Sequence, residues 1–422
     1  MKHIMKQGLL AGIAVFSAMS ASAEVSIDGQ IDYEATGFFN DSLNPASDQN
    51  FNNSLSFEAE MYTEWADGTQ SLTFKPFYRV DEMDDERTHG DVRELMWHMV
   101  ADEYELKAGV GKVYWGVTES NHLVDIVNQT DGVENIDGED KLGQPMIQLL
   151  LERDWGNLDV FVLPYHRERT FAGTDARLSV GMDYADAIYE SDNEESNVDV
   201  AGRFYSYIDD FEYALSVFHG NSREPVVGGF TPDGSNFTKA QPYYPVISQV
   251  GVELQYLIEG WAWKFEGIHR EGMPEADGSL GGYAVLNTPL GVSLGDEQSY
   301  FATTAGFEYT QVGILETRID LGWVVEHMYD SRQEKASFGA FEHDVLLATR
   351  WAANDDADST LLVGAVVDYE YEDYSLSLEG TTRLMDGLSL EVEARVFAPD
   401  EDAPLYGFRD EDFIKLTLSY YL

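Results

Sequence analysis

The sequence predicts an all-β protein: a transmembrane antiparallel β-barrel of about sixteen to eighteen strands. Segments of about 10–14 residues alternate apolar and polar side chains, which suits tilted strands that cross a bilayer. The connections between them alternate between short and long, as expected for short periplasmic turns and long external loops. The chain also ends on an alternating strand, which can pair with the first strand and close the sheet.

The first 23 residues have the features of a secretory signal peptide. Met1–Lys6 is basic, and Gly8–Phe16 is an apolar run too short to cross a membrane as a helix. Ala21–Ala23 has the small-x-small pattern of a cleavage site, so cleavage is expected after Ala23. The remaining chain, residues 24–422, is predicted to form a single barrel domain.

Two early segments show the alternation most clearly. In Ser54–Trp65 the odd positions, such as Leu55 and Phe57, are apolar apart from Thr63, and the even positions are Ser or Glu apart from Tyr62. The segment from Leu72 to Val80 alternates in the same way but contains Pro76. Because proline has no backbone N–H for the sheet, Pro76 predicts a bulge or local irregularity in this strand.

The last ten residues, Phe413–Leu422, form the strand that is predicted to close the barrel. Ile414, Leu416 and Leu418 lie on one face and alternate with polar residues. The stretch resembles the C-terminal assembly signal of Gram-negative outer-membrane barrels, which usually ends in Phe or Trp, so Leu422 departs from it. The resemblance implies location in the cell outer membrane, recognition by the barrel-assembly machinery, and contact with membrane lipid and lipopolysaccharide.

Composition excludes several classes of function. The chain has 77 Asp and Glu against 26 Lys and Arg, a formal charge of −51, which argues against nucleic acid as a partner. It has no cysteine, so disulfides, thiol catalysis and thiolate metal sites are excluded. Its nine histidines occur singly and without a nucleophile or zinc-protease motif. We therefore expect no enzyme activity, no catalytic residues and no cofactor.

The third long connection, Gly111 to Gln144, contains apolar residues that free external loops usually lack. Leu123, Val124, Ile126 and Val127 require burial, which predicts that the connection folds into the lumen and constricts it. The alternative is packing on neighbouring loops above the rim.

The same connection carries a resemblance. General porins fold their third long loop inward in a similar way. The Tyr114-Trp115-Gly116 start, the Val124–Asn128 core and the exit at Pro145 resemble a family of uncharacterised Gram-negative barrels linked to hydrophobic-compound handling or export. The resemblance covers about forty residues. It implies a dedicated conduit, with Val124 and Val127 in a track for apolar compounds.

Basic residues within the predicted strands are the second candidate feature. A charge on the lipid face costs about 2–4 kcal/mol at the midplane, so most of these side chains must point inward. They form either a transverse field that selects solutes by charge or a set of salt bridges that fills the lumen. The residues predicted to line the pore or its constriction are Lys75, Arg79, Arg318, Arg350, Arg383, Arg395, Glu316, Glu391, Glu393, Asp125, Glu134 and Asp137.

The acidic stretch from Asp131 to Asp140 offers oxygen ligands of the kind that calcium prefers. Its order does not match an EF-hand loop, so a solvated acidic loop is the favoured interpretation and no metal site is predicted.

These features predict a porin that allows passive diffusion of small polar solutes and ions, with cations favoured by the acidic excess. Two alternatives remain: the conduit for apolar compounds or export, and a plugged structural or adhesive barrel that works through its external loops. The sequence leaves open the solute and whether three copies associate as a homotrimer.

Overall fold

Eighteen strands pair into one closed antiparallel sheet in the computed structural model, which describes residues 24–44, 46–179, 181–230, 239–274, 297–333, 341–370, 373–401 and 403–422. The predicted signal peptide, residues 1–23, lies outside the described residues, as do parts of several predicted long connections. The fold class and the upper end of the predicted strand number are confirmed.

The strands are β1 (Val25–Phe38), β2 (Phe51–Trp65), β3 (Gln70–Asp81), β4 (Gly90–Val100), β5 (Glu105–Gly111), β6 (Gln144–Arg153), β7 (Gly156–Leu163), β8 (Ile188–Tyr189), β9 (Asp199–Ile208), β10 (Phe211–Asn221), β11 (Val226–Phe230), β12 (Lys239–Tyr244), β13 (Val246–Ile258), β14 (Trp261–Pro274), β15 (Glu297–Gln311), β16 (Asp320–Asp330), β17 (His343–Ala352), β18 (Thr360–Asp368), β19 (Asp373–Met385), β20 (Leu388–Ala398) and β21 (Phe413–Tyr421). Strands β8, β11 and β12 form a separate three-stranded sheet; the others form the barrel. Among the described residues, no helix is both long enough and apolar enough to cross a membrane.

The last strand closes the barrel as predicted. β21 pairs antiparallel with β20 on one side and with β1 on the other, from Gln30 opposite Tyr421 to Phe38 opposite Phe413. The backbone N–H of Leu422 adds a hydrogen bond of 2.8 Å to the carbonyl oxygen of Gly29. Closure leaves neither end of the sheet with an unpaired edge.

The two faces of the strands differ as the alternation predicts. In β2, Leu55 and Phe57 are 51% and 44% exposed on the outside of the barrel. Ser54 and Ser56, which alternate with them, are buried on the inside. An apolar outer face suits the hydrocarbon of a bilayer, and a polar inner face suits a lumen.

Pro76 lies at the predicted irregularity of β3. Lys75 pairs with Glu94 of β4, but Pro76 pairs with Val92, so one residue of β4 is skipped. The missing N–H of proline is therefore accommodated at a bulge.

Short turns lie at one end of the barrel and long connections at the other. Residues 209–210 and 259–260 suffice to join their strands at the short-turn end, whereas residues 112–143 and 164–198 form long connections at the opposite end. The connection between β18 and β19 is short although it lies at the long-connection end.

One predicted strand starts too early in the sequence, since β16 begins only at Asp320. Alternation from Leu315 to Val325 placed Glu316 and Arg318 in the barrel wall, but the structure places both in the turn between β15 and β16. Ile314–Glu316 forms a short 3-10 helix, and Leu315 and Glu316 have positive φ. Glu316 and Arg318 are exposed in this turn, outside the strand positions that line the lumen.

Candidate functional site in the barrel interior

Loop 3, which we define as residues 112–143 between β5 and β6, packs against the inner wall. Val124, Ile126 and Val127 are 0–3% exposed and belong to a cluster that includes Phe161 of β7 and Phe218 of β10. Burying each such side chain contributes about 1.5–3 kcal/mol. These apolar residues of loop 3 are therefore buried against wall strands rather than packed on neighbouring loops above the rim.

Two fully buried carboxylates of the wall bind the backbone of loop 3. Glu266 of β14 accepts hydrogen bonds from the N–H groups of residues 117 and 118 at 2.7 and 2.9 Å. Glu326 of β16 accepts hydrogen bonds from the N–H groups of residues 119 and 120 at 2.8–3.0 Å. Hydrogen bonds to an ionised acceptor are stronger than neutral ones, and they offset the cost of burying the charge. Residues 117–120 are thereby held against this part of the wall.

The side chain of Glu119 joins a group of four charges beside these anchors. Its carboxylate lies 2.9 Å from Lys264 Nζ and 2.7 Å from Arg350 Nη2. Glu308 contacts the same two cations at 3.3 and 3.2 Å. The Arg350 and Glu119 side chains are 40% and 32% exposed, so this group faces solvent inside the barrel.

Loop 3 also binds the wall on the β3–β4 side. Arg79 of β3 contacts Glu134 at 2.8 Å and Glu34 of β1 at 3.4 Å. Arg93 of β4 forms an ion pair with Asp131. Asp131 is fully buried and Glu134 is 8% exposed, which corrects the prediction of a solvated loop for the first part of the stretch from Asp131 to Asp140, whereas Asp137 and Glu139 are exposed.

A further contact connects loop 3 with β20. Arg395 donates hydrogen bonds to Glu393 at 2.8 Å and to Asp137 of loop 3 at 3.2 Å. Lys415 of β21 lies 2.5 Å from the other oxygen of Glu393. The structure thus brings Arg395, Glu393 and Asp137 together, with the exposed Glu391 two positions along the same face.

Two more of the predicted residues lie at the margins of the interior. Lys75 forms ion pairs with Glu60 at 2.7 Å and with Glu94 at 3.7 Å on the inner face. Arg383 instead pairs with Asp358, in the turn between β17 and β18, at the short-turn end of the barrel. Arg383, one of the residues predicted to line the pore or its constriction, therefore lies at the short-turn end of the barrel.

Asp125 and Asp140 are two carboxyls of loop 3 whose pKa values are strongly raised. Burial raises the pKa of Asp125 to about 6, although Lys141 lies 3.6 Å away and opposes the shift. Burial, together with the charges of Glu134 and Asp137, raises the pKa of Asp140 to about 6. Both carboxyls therefore change charge between mildly acidic and neutral pH.

One group within the described residues has the composition of a metal site. The ligand atoms of His89, Asp131 and Glu134 lie within 4.8 Å of one another. Arg93 and Arg79 already pair with the two carboxylates. The pKa of His89 is raised, because the nearby carboxylates of Asp131 and Glu134 outweigh the opposing effect of burial. A raised pKa favours the protonated ring. This donor set fits an ion-paired cluster better than a cation.

The inner wall formed by β20, β1 and β2 carries carboxylates in contact with solvent. Asp28 pairs with Glu60 across the β1–β2 ladder, and Gln30 pairs with Glu58 in the same register. Glu391 and Asp28 are exposed, and Glu58 and Glu60 are half-buried. We call Asp28, Asp32, Glu58, Glu60 and Glu391 the acidic wall.

Sequence reasoning missed Glu119, Glu266 and Glu326 as site residues. Each stands at an ordinary polar position, and its role appears only when residues 117–120 meet strands about 150–200 positions further along the chain. The available signal was that Glu266 and Glu326 occupy inward strand positions, where a buried charge requires donors.

Neither known family models nor curated proteins match this chain. Solved structures do resemble it in fold. OpdK, an outer membrane protein from Pseudomonas aeruginosa, has a TM-score of 0.52 at 10% identity, over 94% of this chain and 99% of that one. A BenF-like porin from Pseudomonas fluorescens Pf-5 has a TM-score of 0.51 at 10% identity, over 95% and 99%. Wzi from Escherichia coli, described as a carbohydrate-binding barrel, has a TM-score of 0.51 at 10% identity, over 96% and 86%. These likenesses support the outer-membrane barrel fold.

Proposed function

We propose that the protein is an outer-membrane porin through which small polar solutes and ions diffuse passively, with cations favoured over anions. The observation that carries the proposal is the acidic wall, which stays in contact with solvent inside a barrel against whose inner wall loop 3 packs. A ring or patch of fixed carboxylates concentrates cations and repels anions in a water-filled passage.

Loop 3 constricts this passage in the proposed mechanism. Glu266 and Glu326 fix its backbone on one side, and Arg79, Arg93 and Arg395 fix its acidic stretch on the other. A segment held at both sides narrows the lumen without needing to move. No bond chemistry is involved, because the lumen replaces part of a solute's hydration and lipid does not.

The proposal includes the cellular setting. The signal peptide directs export and is cleaved after Ala23, and the last strand presents the assembly machinery with its recognition sequence. The apolar outer face then contacts membrane lipid and lipopolysaccharide. Association of three barrels into a homotrimer stays a prediction.

The test is single-channel recording of the purified, refolded protein in a planar bilayer under a salt gradient. We expect conductance steps and a reversal potential of the sign that cation preference requires. The matched variant Asp28→Asn with Glu391→Gln should keep the steps and move the reversal potential towards zero. A folded barrel without conductance steps would overturn the proposal and favour the plugged barrel.

The conduit for apolar compounds receives less support. Val124 and Val127, the residues expected to form its track, are 0% exposed and belong to the packed cluster of loop 3. An apolar solute has no access to them in this arrangement.

A further inference from the structure

Loop 4, which we define as residues 164–198 between β7 and β9, reaches nearly the opposite side of the barrel. Its Arg177 contacts the connection between β1 and β2 and the connection between β20 and β21. β7 and β9 lie seventh and eighth in the ring of eighteen strands, whereas β21 closes the ring against β1. A segment that joins these two regions crosses the mouth of the barrel at the long-connection end.

Arg177 is fully satisfied at this crossing. Its side chain is 0% exposed, and Nε donates to Glu411 at 2.7 Å. Nη1 donates to Asn50 Oδ1 at 2.8 Å and to the carbonyl oxygen of Gln49 at 3.2 Å. Nη2 donates to the carbonyl oxygens of residues 40 and 410 at 2.9 and 3.3 Å. The five N–H groups of a guanidinium thus meet five acceptors on two other connections.

Residues of loop 4 next to Arg177 also bind other connections at the mouth. Asn44 Nδ2 donates to the carbonyl oxygen of Thr174 at 2.7 Å. The backbone N–H of Gly173 donates to Asp84, in the connection between β3 and β4, at 3.1 Å. A Cβ at position 173 would lie 2.5 Å from Asp84 Oδ1, so the close approach requires glycine.

Loop 4 lies against loop 3 on its way across. Thr170 forms a β-bridge with Asp131 and donates a hydrogen bond of 2.6 Å to its carboxylate. Arg167 contacts Asp91 of the wall at 3.0 Å and the carbonyl oxygen of Gly143 at 2.9 Å. The two loops therefore form a continuous packed body from the lumen to the mouth.

We propose that residues 167–177 of loop 4 form a strap across the mouth, and that Arg177 is the residue that positions it. The inference rests on the proposed porin function, because the strap then limits the size of solute that can enter. Solutes pass beside the strap, and releasing it enlarges the entrance. Lysine at position 177 cannot replace the arginine, since an ammonium has three donors instead of a fork of five.

The first test locates the strap without using conductance. Asn44→Cys with Thr174→Cys places two thiols in a chain that has no other cysteine. A short bifunctional thiol reagent should join them in the folded barrel, and Arg177→Ala should abolish most of that cross-link. Arg409→Ala removes an external arginine whose contacts, within the described residues, lie in its own connection; it is the matched control and should leave the cross-link intact.

The second test measures the entrance. Arg177→Ala and Arg177→Lys should raise single-channel conductance and admit larger neutral sugars in a liposome-swelling assay, while Arg409→Ala should not. Absence of the cross-link in a folded, conducting barrel overturns the strap alone. A cross-linked barrel that never conducts overturns the porin proposal and keeps the strap. Unchanged cross-linking, conductance and sugar size in both Arg177 variants overturn the role of Arg177.

Discussion

Glu266 shows how one side chain of the wall can set the path of loop 3. Its two oxygens accept hydrogen bonds from the backbone of residues 117, 118 and 124 and from the Thr118 hydroxyl. In Glu266→Gln the negative charge is lost and an NH₂ group replaces one of the two acceptor oxygens, so at least one buried N–H group of loop 3 faces another donor and is left unpaired. Each unpaired group costs about 1–3 kcal/mol, so loop 3 should loosen.

Limited proteolysis and thermal unfolding of the folded barrel measure this effect. Glu266→Gln should be cut within loop 3 and should unfold at a lower temperature than the wild type. Glu60→Gln, which changes an inward carboxylate that contacts Lys75 instead of loop 3, is the control. Equal protection of loop 3 in the two variants would contradict the anchoring role.

Arg350 allows a test of charge in the lumen. Its guanidinium is 40% exposed and lies beside Glu119 and Glu308, so Arg350→Ala leaves both carboxylates with only Lys264. The reversal potential under a salt gradient should shift towards stronger cation preference, with little change in thermal stability. Arg318→Ala removes the same charge from an exposed turn and should shift the reversal potential less than Arg350→Ala does. Equal shifts would show that the position of the charge does not matter.

At the scale of the element, loop 3 should respond to pH. The pKa values of Asp125 and Asp140 are about 6 in the packed loop, above the ordinary aspartate value. Protonation therefore favours the packed loop, and this stabilisation is lost as pH rises from about 4 through about 6. Over the same range two negative charges appear in the lumen.

Reversal potentials recorded between pH 4.5 and 7.5 measure the effect of these two negative charges on ion selectivity. Cation preference should rise with pH and level off above about pH 7. Asp125→Asn with Asp140→Asn should flatten the curve around pH 6, while Glu391→Gln should lower cation preference and keep that rise. A double variant with the wild-type curve would rule out these two carboxyls.

The elements could be predicted from the sequence wherever local pattern decides them. The β3 bulge follows from the chemistry of Pro76 alone, and the closing pair of β21 with β1 follows from alternation at the end of the chain. Alternation misled around Glu316 and Arg318, because apolar and charged residues also alternate through a turn with positive φ. The anchors Glu266 and Glu326 could not be assigned, because their partners are backbone N–H groups distant in sequence.

At the scale of the whole molecule, closure depends on the last strand. Deleting residues 413–422 removes the partner of both β1 and β20 and leaves two open edges. The backbone N–H and C=O groups of such edges have no hydrogen-bond partners in the hydrocarbon of a bilayer, so no folded barrel should form. Electrophoresis of heated and unheated samples detects the folded barrel, and Leu422→Phe, which restores the usual last residue, should fold. A folded product from the deleted chain would contradict the closure argument.

The acidic excess of the molecule should act through screened electrostatics. The Debye length falls from about 10 Å at 0.1 M salt to about 3 Å at 1 M, so distant carboxylates lose influence as salt increases. Cation preference, measured at a fixed salt ratio, should therefore decline across this range. Entry of a neutral sugar into liposomes, corrected for osmolarity, should stay constant, because a steric limit on an uncharged solute is not screened by salt. A cation preference that does not change with salt would indicate a direct binding site in the passage rather than the field of the acidic wall.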